Sequence, residues 1–403
     1  MKLASCVIGI FALLLSSSCA SSNVEPLFPC SPYLDEPYGM VTHITRTGER
    51  WDYNIRNKEL ELLNRIGCNF VRADLDYSLF SNDRYNKNEL LDSVLASCRQ
   101  YNIKFLGIVK NVEFGKYNWN HANEYKKYLS NLKKYKNQIQ YWEYINEADL
   151  IKDSLIIDGY SSTLRSFWKM IKSNRTKNKV LFSGVANVRN PFFVKTISIK
   201  AQKYFDIMNL HSYSSPYKIS SEFEIVASNM KQYGWKKPVW LTECGMSTYY
   251  ESKTRLTSSQ KDTIQAKRVA PLHLVSFAYG VNKIFWYNLK SYEQSSCNVE
   301  DHFGILHRDL SPKLSFYAYQ TLITMCPNKS MRPTLEVDGD FYRASWFKPN
   351  GSKVLCLWTE GRKCMIPLNY FNAEKIVDYL GKEYSLNNKN ICVSDAPLYI
   401  ILK

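Results

Sequence analysis

Two glutamates stand at the ends of apolar segments that are typical of buried strands. Glu147 follows Asn146 in the segment YWEYINE (141–147), and Glu243 follows Thr242 in the segment PVWLTE (238–243). A charged group at such a position costs free energy unless it is paired or used. Two carboxyl groups that meet can do acid–base and nucleophilic chemistry, because a protonated one donates a proton while an ionised one attacks carbon. The sequence therefore predicts a two-carboxylate site, provided that the fold brings these glutamates together.

The elements that must position the glutamates alternate along the chain from about residue 40. Short apolar segments such as GMVTHI (39–44), NFVRADL (69–75) and KIFWYN (283–288) are followed by amphipathic helical patterns. Between residues 39 and 288 eight strand–helix units average about 31 residues, which matches the length of a βαβ unit. Continuous apolar strands are typical of a sheet buried on both faces. No glycine-rich phosphate loop follows the first strand, which disfavours a doubly wound open sheet. The predicted fold is α/β, a (β/α)8 TIM barrel.

The C-terminal part of the chain has a different pattern. From about residue 330 it contains short strand patterns with turn signals such as Pro349-Asn350-Gly351, and no helical pattern intervenes. A small β-sandwich packed on the barrel is predicted there. The expected division is an N-terminal signal segment over 1–22, a barrel over 35–328 and a β-sandwich over 329–403.

Functional side chains of a (β/α)8 barrel collect at the carboxyl ends of its strands. Glu147 and Glu243 are 96 residues apart, or three units of about 32 residues each. They therefore fall on the fourth and seventh strands, which face each other across the barrel mouth. Carboxyl groups about 5 Å apart would cleave a glycosidic bond with retention, whereas a gap of about 6.5–9.5 Å would accommodate water and invert. Other polar or aromatic residues at predicted strand ends are Arg72, Asn146, His211, Tyr213 and Trp286.

These motifs together resemble the clan A retaining glycoside hydrolases. The resemblance lies in Asn-Glu at the fourth strand, Thr-Glu at the seventh, Arg72, the His-x-Tyr of the sixth strand and Trp286. The passage FGILHRDLSPKLSFYAY (303–319) is similar to the clan's segment between the eighth strand and the last helix. The trailing strands resemble the β-sandwich of family 39 and of some family 5 and family 30 members. The resemblance covers roughly residues 35 to 403.

The resemblance implies the roles of the strand-end residues. Glu147 would be the acid/base and Glu243 the nucleophile of a double displacement that needs no cofactor. Tyr213 would bond the nucleophile, and Arg72 is suited by its charge to keep that carboxylate ionised. Three further residues would bind the sugar: Asn146 at its 2-hydroxyl, His211 in the pocket wall, and Trp286 beneath the ring.

The expected activity is the hydrolysis of β-linked glycans or oligosaccharides by an exported enzyme. Two alternatives share the same residues: a non-catalytic cell-surface glycan-binding protein on a degenerate barrel, and a transglycosylase. The sequence leaves the sugar, the linkage and the oligomeric state open.

Five neighbouring side chains each have two interpretations. His43 and Trp119, at the first and third strand ends, either reach the pocket or pack in the core or in loops. Asp74 and Asp76 either bind sugar hydroxyls or cap the next helix. Glu143, inside the fourth strand, either lines the barrel or forms a structural ion pair.

Composition excludes several other functions. The 403 residues carry a net charge of +16, but the basic residues are scattered and no nucleic-acid-binding motif is present. The charge leaves room for an acidic partner, such as a uronate-bearing glycan or an anionic envelope surface. The six histidines show no H-E-x-x-H spacing, and no G-x-S-x-G elbow occurs, so a catalytic metal and a serine nucleophile are not expected.

The N-terminus and the cysteines bear on location. Lys2 and the apolar run from Val7 to Leu15 are typical of a secretory signal. LLSSSC (14–19) resembles a lipoprotein site that would lipidate Cys19 and anchor the protein to a membrane, while cleavage after Ala20 is the alternative. Among the 11 cysteines no C-x-x-C pair occurs, and most are expected to be buried apolar residues. A local bridge between Cys356 and Cys364 is the alternative considered for that pair.

Overall fold

A computed structural model gives the structure of the chain. It describes residues 22–46, 53–76, 79, 87–109, 122–151, 156–173, 176–198, 201–249, 256–293 and 298–403. Residues 1–21 of the predicted signal segment, which include Cys19, lie outside the described residues, and so does Trp119. In the parts of the chain just given, no helix has the length and apolar character needed to cross a bilayer.

Eight parallel strands form the central sheet. A short strand β1 (Ser22–Asn23) comes first, and the barrel strands follow: β2 (Tyr38–Val41), β3 (Phe70–Leu75), β4 (Lys104–Val109), β5 (Tyr141–Tyr144), β6 (Lys179–Leu181), β7 (Met208–Ser212), β8 (Val239–Cys244) and β9 (Lys283–Trp286). Their order in the sheet is β6-β5-β4-β3-β2-β9-β8-β7. Bridges from Leu181 to Ile207 and from Val185 to Leu210 join β6 to β7 and close the sheet into a barrel. The predicted (β/α)8 fold is confirmed.

Helices cover the outside of the barrel. The α-helices of the described residues are α1 (Tyr53–Ile66), α2 (Lys87–Gln100), α3 (Ala122–Lys133), α4 (Ile156–Lys172), α5 (Pro191–Ser198), α6 (Ile219–Gln232), α7 (Ser258–Ala278) and α8 (Leu314–Met325). Helix α4 shows why such segments fold this way. It buries Tyr160, Leu164, Phe167 and Ile171, which recur at helical spacing on the face toward the sheet.

The barrel interior is filled in layers. The lowest layer is an apolar floor of Val41, Phe70, Leu106, Leu181, Ile207, Trp240 and Phe285. Side chains along a strand alternate between its two faces. On β3, Phe70 therefore belongs to the floor, Arg72 to a buried polar layer above it, and Asp74 to the mouth. This alternation explains how a fully buried arginine comes to stand inside an apolar strand.

The C-terminal part is an antiparallel sheet. Its strands are β10 (Thr334–Asp338), β11 (Phe341–Phe347), β12 (Lys353–Thr359), β13 (Cys364–Pro367), β14 (Ala373–Asp378), β15 (Glu383–Tyr384), β16 (Asn390–Val393) and β17 (Leu398–Leu402). Strand β1 joins its edge beside β10, and β13 pairs with β16 in a separate two-stranded ribbon. The segment before the barrel thus contributes a strand to the sheet formed by the end of the chain.

Strand β12 shows how the sheet is held between two apolar layers. Val354, Cys356 and Trp358 belong to the large core shared with the barrel, whereas Leu355 and Leu357 pack in a second core with residues of the ribbon. Cys356 therefore faces the barrel, away from Cys364, and both thiols are free. The considered bridge between them is wrong. Cys68, Cys98, Cys244, Cys326 and Cys356 are buried apolar residues.

Candidate active site

The carboxyl ends of the barrel strands surround a pocket of about 390 Å³. Of the seven predicted site residues, Arg72, Asn146, Glu147, Tyr213 and Glu243 line it. His211 lies directly behind Glu147 and Glu243, and Trp286 lies elsewhere. Further lining residues are Val41, Thr42, His43, Arg46, Asp74, Ile108, Tyr287, Glu300 and Phe303.

Glu147 and Glu243 stand close together on opposite sides of the pocket. Three atoms meet here: one carboxylate oxygen of Glu147, one of Glu243 and one ring nitrogen of His211. All three lie within 4.8 Å of one another. Nδ1 of His211 lies 2.9 Å from Oε1 of Glu147 and 3.6 Å from Oε2 of Glu243. Two carboxyl groups at this separation can act on one small group of substrate atoms.

Arg72 forms hydrogen bonds with residues on both sides of the site. Its Nε and Nη2 donate to the carboxylate of Glu143 at 2.6 and 2.7 Å, and its Nη1 donates to Oε1 of Glu243 at 2.5 Å. Nη2 also donates to Oδ1 of Asn146 at 2.7 Å. Glu143 and Arg72 are both fully buried, so each compensates the charge of the other. Glu143 therefore forms a structural ion pair with Arg72, which was one of its two interpretations.

The surroundings of Glu243 favour its ionised form. Burial raises the pKa of the Glu243 carboxyl, but the charges of His211 and Arg72 and the hydrogen bond from Tyr213 lower it more, so the pKa lies below its ordinary value. Tyr213 donates to Oε2 at 2.8 Å. Burial and the negative charge of Glu243 raise the pKa of Tyr213, which therefore remains a hydrogen-bond donor at neutral pH.

His211 is fixed by a close approach to glycine. A Cβ atom at Gly184 would lie 2.0 Å from Nε2 of His211, so only glycine leaves room for the ring. Burial lowers the pKa of His211, while the charge of Glu243 and the hydrogen bond to Glu147 raise it, and the net direction is upward. The imidazole is therefore able to hold a proton beside both carboxyl groups.

An irregularity in β8 presents two successive side chains to the site. The register between β7 and β8 shifts between Leu210 and His211, so that His211 pairs with Glu243. Thr242 is left as an extra residue, and its hydroxyl reaches Asn209 and His211 inside the barrel. Glu243 next to it contacts Arg72 and Tyr213. Bulges of this kind redirect side chains next to active sites.

The backbone around Asn146 bends sharply at the end of β5. Ile145 and Glu147 have positive φ angles of 63° and 46°, which L-residues seldom adopt, especially a β-branched one. The backbone amide of Ala148 donates to Oγ of Ser183, and Asp149 accepts from the amides of Ala186 and Asn187. These bonds hold a bend that aims Asn146 and Glu147 into the same pocket.

Trp286 does not contribute to the pocket, and the prediction that it lies beneath the sugar is wrong. Its indole is fully buried and stacks on His273 of α7, in the layer between barrel and helices. Because Phe285 points into the barrel floor, the next residue must point outward. Tyr287 is the residue of this strand end that lines the pocket, where its ring packs edge to face against Tyr213 and Phe303.

The mouth contains further charged residues, some of which had no sequence signal. His43 and Asp74 line the pocket, and Asp74 pairs with Arg46 at 3.1 Å. Glu300 accepts from the hydroxyl of Tyr287 at 3.1 Å. Burial and the charges of Glu243 and Glu147 raise the pKa of Glu300, although the bond from Tyr287 lowers it. Tyr287 directly follows Trp286, the residue predicted at that strand end, whereas Glu300 lies in a short 3₁₀ helix (Val299–His302) that had no sequence signal.

The cluster of Glu147, His211 and Glu243 also has the spacing of metal ligands. The donor set does not fit a divalent cation, however. Both oxygens of Glu243 already accept hydrogen bonds, from Arg72 and from Tyr213. The guanidinium of Arg72, 2.5 Å from Glu243, would also repel a second positive charge. The arrangement instead suits an ionised Glu243 that is held by Arg72 and Tyr213.

Solved structures provide the comparison. No family model and no curated protein matches this chain. A family 39 glycoside hydrolase from Bacteroides cellulosilyticus WH2 is similar at a TM-score of 0.69 and 18% identity, over 92% of this chain and 81% of that chain. A glucosidase from Croceicoccus marinus reaches 0.66 at 13% identity, over 96% and 100%. A GH30 endoxylanase from Clostridium papyrosolvens C71 reaches 0.60 at 11% identity, over 93% and 98%. The chain thus shares with these proteins the fold of a (β/α)8 barrel with a C-terminal antiparallel sheet.

Proposed function

We propose that the protein is a retaining glycoside hydrolase that cleaves β-linked glycans or oligosaccharides. One observation carries the proposal: carboxylate oxygens of Glu147 and Glu243 lie within 4.8 Å of each other. Retaining enzymes separate these groups by about 5–5.5 Å, whereas inverting enzymes need about 6.5–9.5 Å to admit a water molecule. The spacing therefore favours direct attack on the sugar by one of the carboxylates.

The surroundings divide the roles between the two glutamates. Glu243 has the lowered pKa and the positive partner Arg72, so it attacks the anomeric carbon as the ionised nucleophile. Glu147 gives its proton to the glycosidic oxygen as the bond to the leaving group breaks. Glu147 then takes a proton from water, which attacks the same carbon and releases Glu243. After the second step Glu147 is protonated and Glu243 is ionised again, as both were before the reaction.

Other side chains are assigned to the binding of substrate. Asn146, whose amide oxygen accepts a hydrogen bond from Arg72, is proposed to bond a sugar hydroxyl beside the nucleophile. The ring of Tyr287 offers an aromatic surface in the pocket wall. Structural neighbours whose names describe a glucosidase, an endoxylanase and a family 39 hydrolase support a carbohydrate substrate. At 11–18% identity they carry the fold alone, so neither the sugar nor the linkage follows from them.

Hydrolysis of a panel of aryl β-glycosides and β-linked polysaccharides tests the proposal. Wild type should turn over at least one of them, and Glu243→Gln should lose at least about 10³-fold in kcat because the nucleophile is gone. Glu293→Gln, which alters an exposed glutamate paired with His307 outside the pocket, is the matched control. Sugar binding without turnover in wild type would instead identify a glycan-binding protein. Transfer to an added sugar in preference to water would identify a transglycosylase.

Export and membrane anchoring are a second proposal, which rests on the N-terminal sequence alone. If Cys19 is lipidated, wild type should partition with membranes and Cys19→Ala should move to the soluble fraction. Equal partition of the two proteins would remove the anchor but leave cleavage after Ala20.

A further inference from the structure

Nη2 of Arg72 and the hydroxyl of Thr242 both lie near Nε2 of His211, and both use their hydrogen atoms in other bonds. Nη2 of Arg72 carries two hydrogen atoms. Both are used in bonds of 2.7 Å, one to Glu143 and one to Asn146. Nε2 of His211 lies farther away, at 3.2 Å, so Arg72 has no hydrogen left for it.

Thr242 also has no hydrogen to give. Its hydroxyl carries a single hydrogen, and it lies 2.6 Å from the amide oxygen of Asn209. Nε2 of His211 is 3.1 Å from the same hydroxyl oxygen. With its hydrogen donated to Asn209, Thr242 can only accept from the imidazole. Asn209, Thr242 and His211 all belong to the buried polar layer, where an unmatched pair of acceptors would be costly.

From this count we propose that Asn209 and Thr242 are positioning residues that keep one proton of His211 on Nε2, so that Nδ1 is turned toward Glu147 and shares a single proton with it. The single proton between Nδ1 and Oε1 of Glu147, 2.9 Å apart, is then the proton that the acid step delivers. The charged groups that face the ring are Arg72 on β3, Glu143 and Glu147 at β5, and Glu243 on β8. The inference rests on the proposed function of Glu147 as the acid.

The reaction moves one proton out of the Glu147–His211 pair and then back into it. In the first step the shared proton leaves the Glu147–His211 pair for the glycosidic oxygen, as the carbon–oxygen bond breaks. In the second step a proton from the attacking water refills the pair. Nε2 of His211 keeps its own proton throughout, because it donates that hydrogen in a bond that the Thr242 hydroxyl can only accept. The opposite tautomer would place a second hydrogen between Nδ1 and a protonated Glu147 and push the two groups apart.

The first test compares leaving groups. Thr242→Val removes the acceptor while keeping the shape of the side chain. It should lower kcat/KM at least about tenfold for substrates whose leaving group needs protonation, since general acid catalysis contributes 10²–10⁴-fold. For dinitrophenyl glycosides, which leave without a proton, kcat/KM should stay within about twofold. Thr242→Ser, which restores the hydroxyl, should recover most of the loss. Thr196→Val makes the same change at a buried threonine of α5, and both substrate types should react as with wild type.

The second test measures the tautomer without any turnover. In protein labelled with 15N-histidine, long-range 1H–15N correlations distinguish a protonated from a bare ring nitrogen. The signals of His211 are assigned by their loss in His211→Asn. A protonated Nε2 is expected in wild type, and a change at the ring in Thr242→Val but not in Thr196→Val. A neutral ring protonated on Nδ1 in wild type would overturn the proposal, and so would an equal loss for both leaving groups. If no glycoside is hydrolysed by wild type, the proposed function fails while the spectrum still decides the tautomer.

Discussion

Tyr213 donates a hydrogen bond of 2.8 Å to Oε2 of Glu243. The other oxygen of that carboxylate accepts from Arg72 at 2.5 Å. A carboxylate that accepts such bonds is stabilised relative to its protonated form. Although Glu243 is buried, the combined effect of its neighbours keeps its pKa below the ordinary value.

Removing the Tyr213 hydroxyl should therefore change the pH dependence of the reaction. Tyr213→Phe withdraws a bond that favours the anion, so the pKa of Glu243 rises and the acid limb of kcat/KM moves to higher pH. At neutral pH the rate should fall roughly tenfold or more, since a hydrogen bond to a charged group is lost. Tyr217→Phe, remote from the site, is the control. An acid limb that stays in place would show that Tyr213 does not set this pKa.

Any side chain at position 184 should lower the activity, because it would displace His211. Gly184→Ala forces the imidazole out of its position beside Glu147 and Glu243, because the new Cβ would lie 2.0 Å from Nε2. A displacement of about 1 Å can cost about 10²-fold in rate, and we expect a loss of that order in kcat/KM. On a His211→Asn background the same substitution should add little, because the two changes act on one interaction. Additive losses in this double-mutant cycle would assign Gly184 a role apart from His211.

Substitutions of the two aromatic residues at the end of β9 should have different effects, one on substrate binding and the other on stability. Tyr287→Ala removes a ring from the pocket wall and should raise KM about tenfold, which corresponds to about 1.4 kcal/mol. Trp286→Phe changes a buried indole and should lower the free energy of unfolding by about 1–3 kcal/mol while leaving KM within about twofold. Kinetics and urea unfolding of both variants check this. The reverse pattern would restore Trp286 as the sugar surface.

The fold followed from the sequence because its signals are local and repeated. Alternating strands and helices of nearly constant length identify a barrel, and barrel geometry places strand ends at one mouth. Glu147, Glu243 and Arg72 could therefore be predicted to share one pocket from their positions at strand ends alone. The domain boundaries remain a prediction, and the strand that Ser22–Asn23 adds beside β10 had no pattern of its own.

Tertiary contacts at the strand ends decide the features that the sequence did not predict. The bulge that brings Thr242 into the barrel depends on pairing with β7, which no single segment encodes. Alternation from Phe285 would have placed Tyr287 rather than Trp286 in the pocket, had the face of Phe285 been known. Glu300 and Phe303 reach the pocket from the segment after β9, whose path is set by tertiary packing.

A buried histidine outside the site should make stability depend on pH. His273 donates from Nδ1 to the carbonyl of Val269 at 2.7 Å, and burial lowers its pKa from 6.5 to about 4. The folded protein therefore resists a proton that the unfolded chain accepts, and this contribution is lost as pH falls from about 6.5 toward 4. Between pH 7 and pH 4, wild type should lose about 3 kcal/mol more unfolding free energy than His273→Phe. Parallel curves for the two proteins in urea titrations would contradict this assignment.

The anomeric configuration of the first product tests the central claim most directly. A β-linked substrate is mixed with enzyme in the NMR tube, and the anomeric proton is followed before mutarotation. With the carboxylate oxygens of Glu147 and Glu243 within 4.8 Å, the sugar should be released first as the β-anomer. Initial appearance of the α-anomer would mean that water attacks directly and that Glu243 never bonds the sugar.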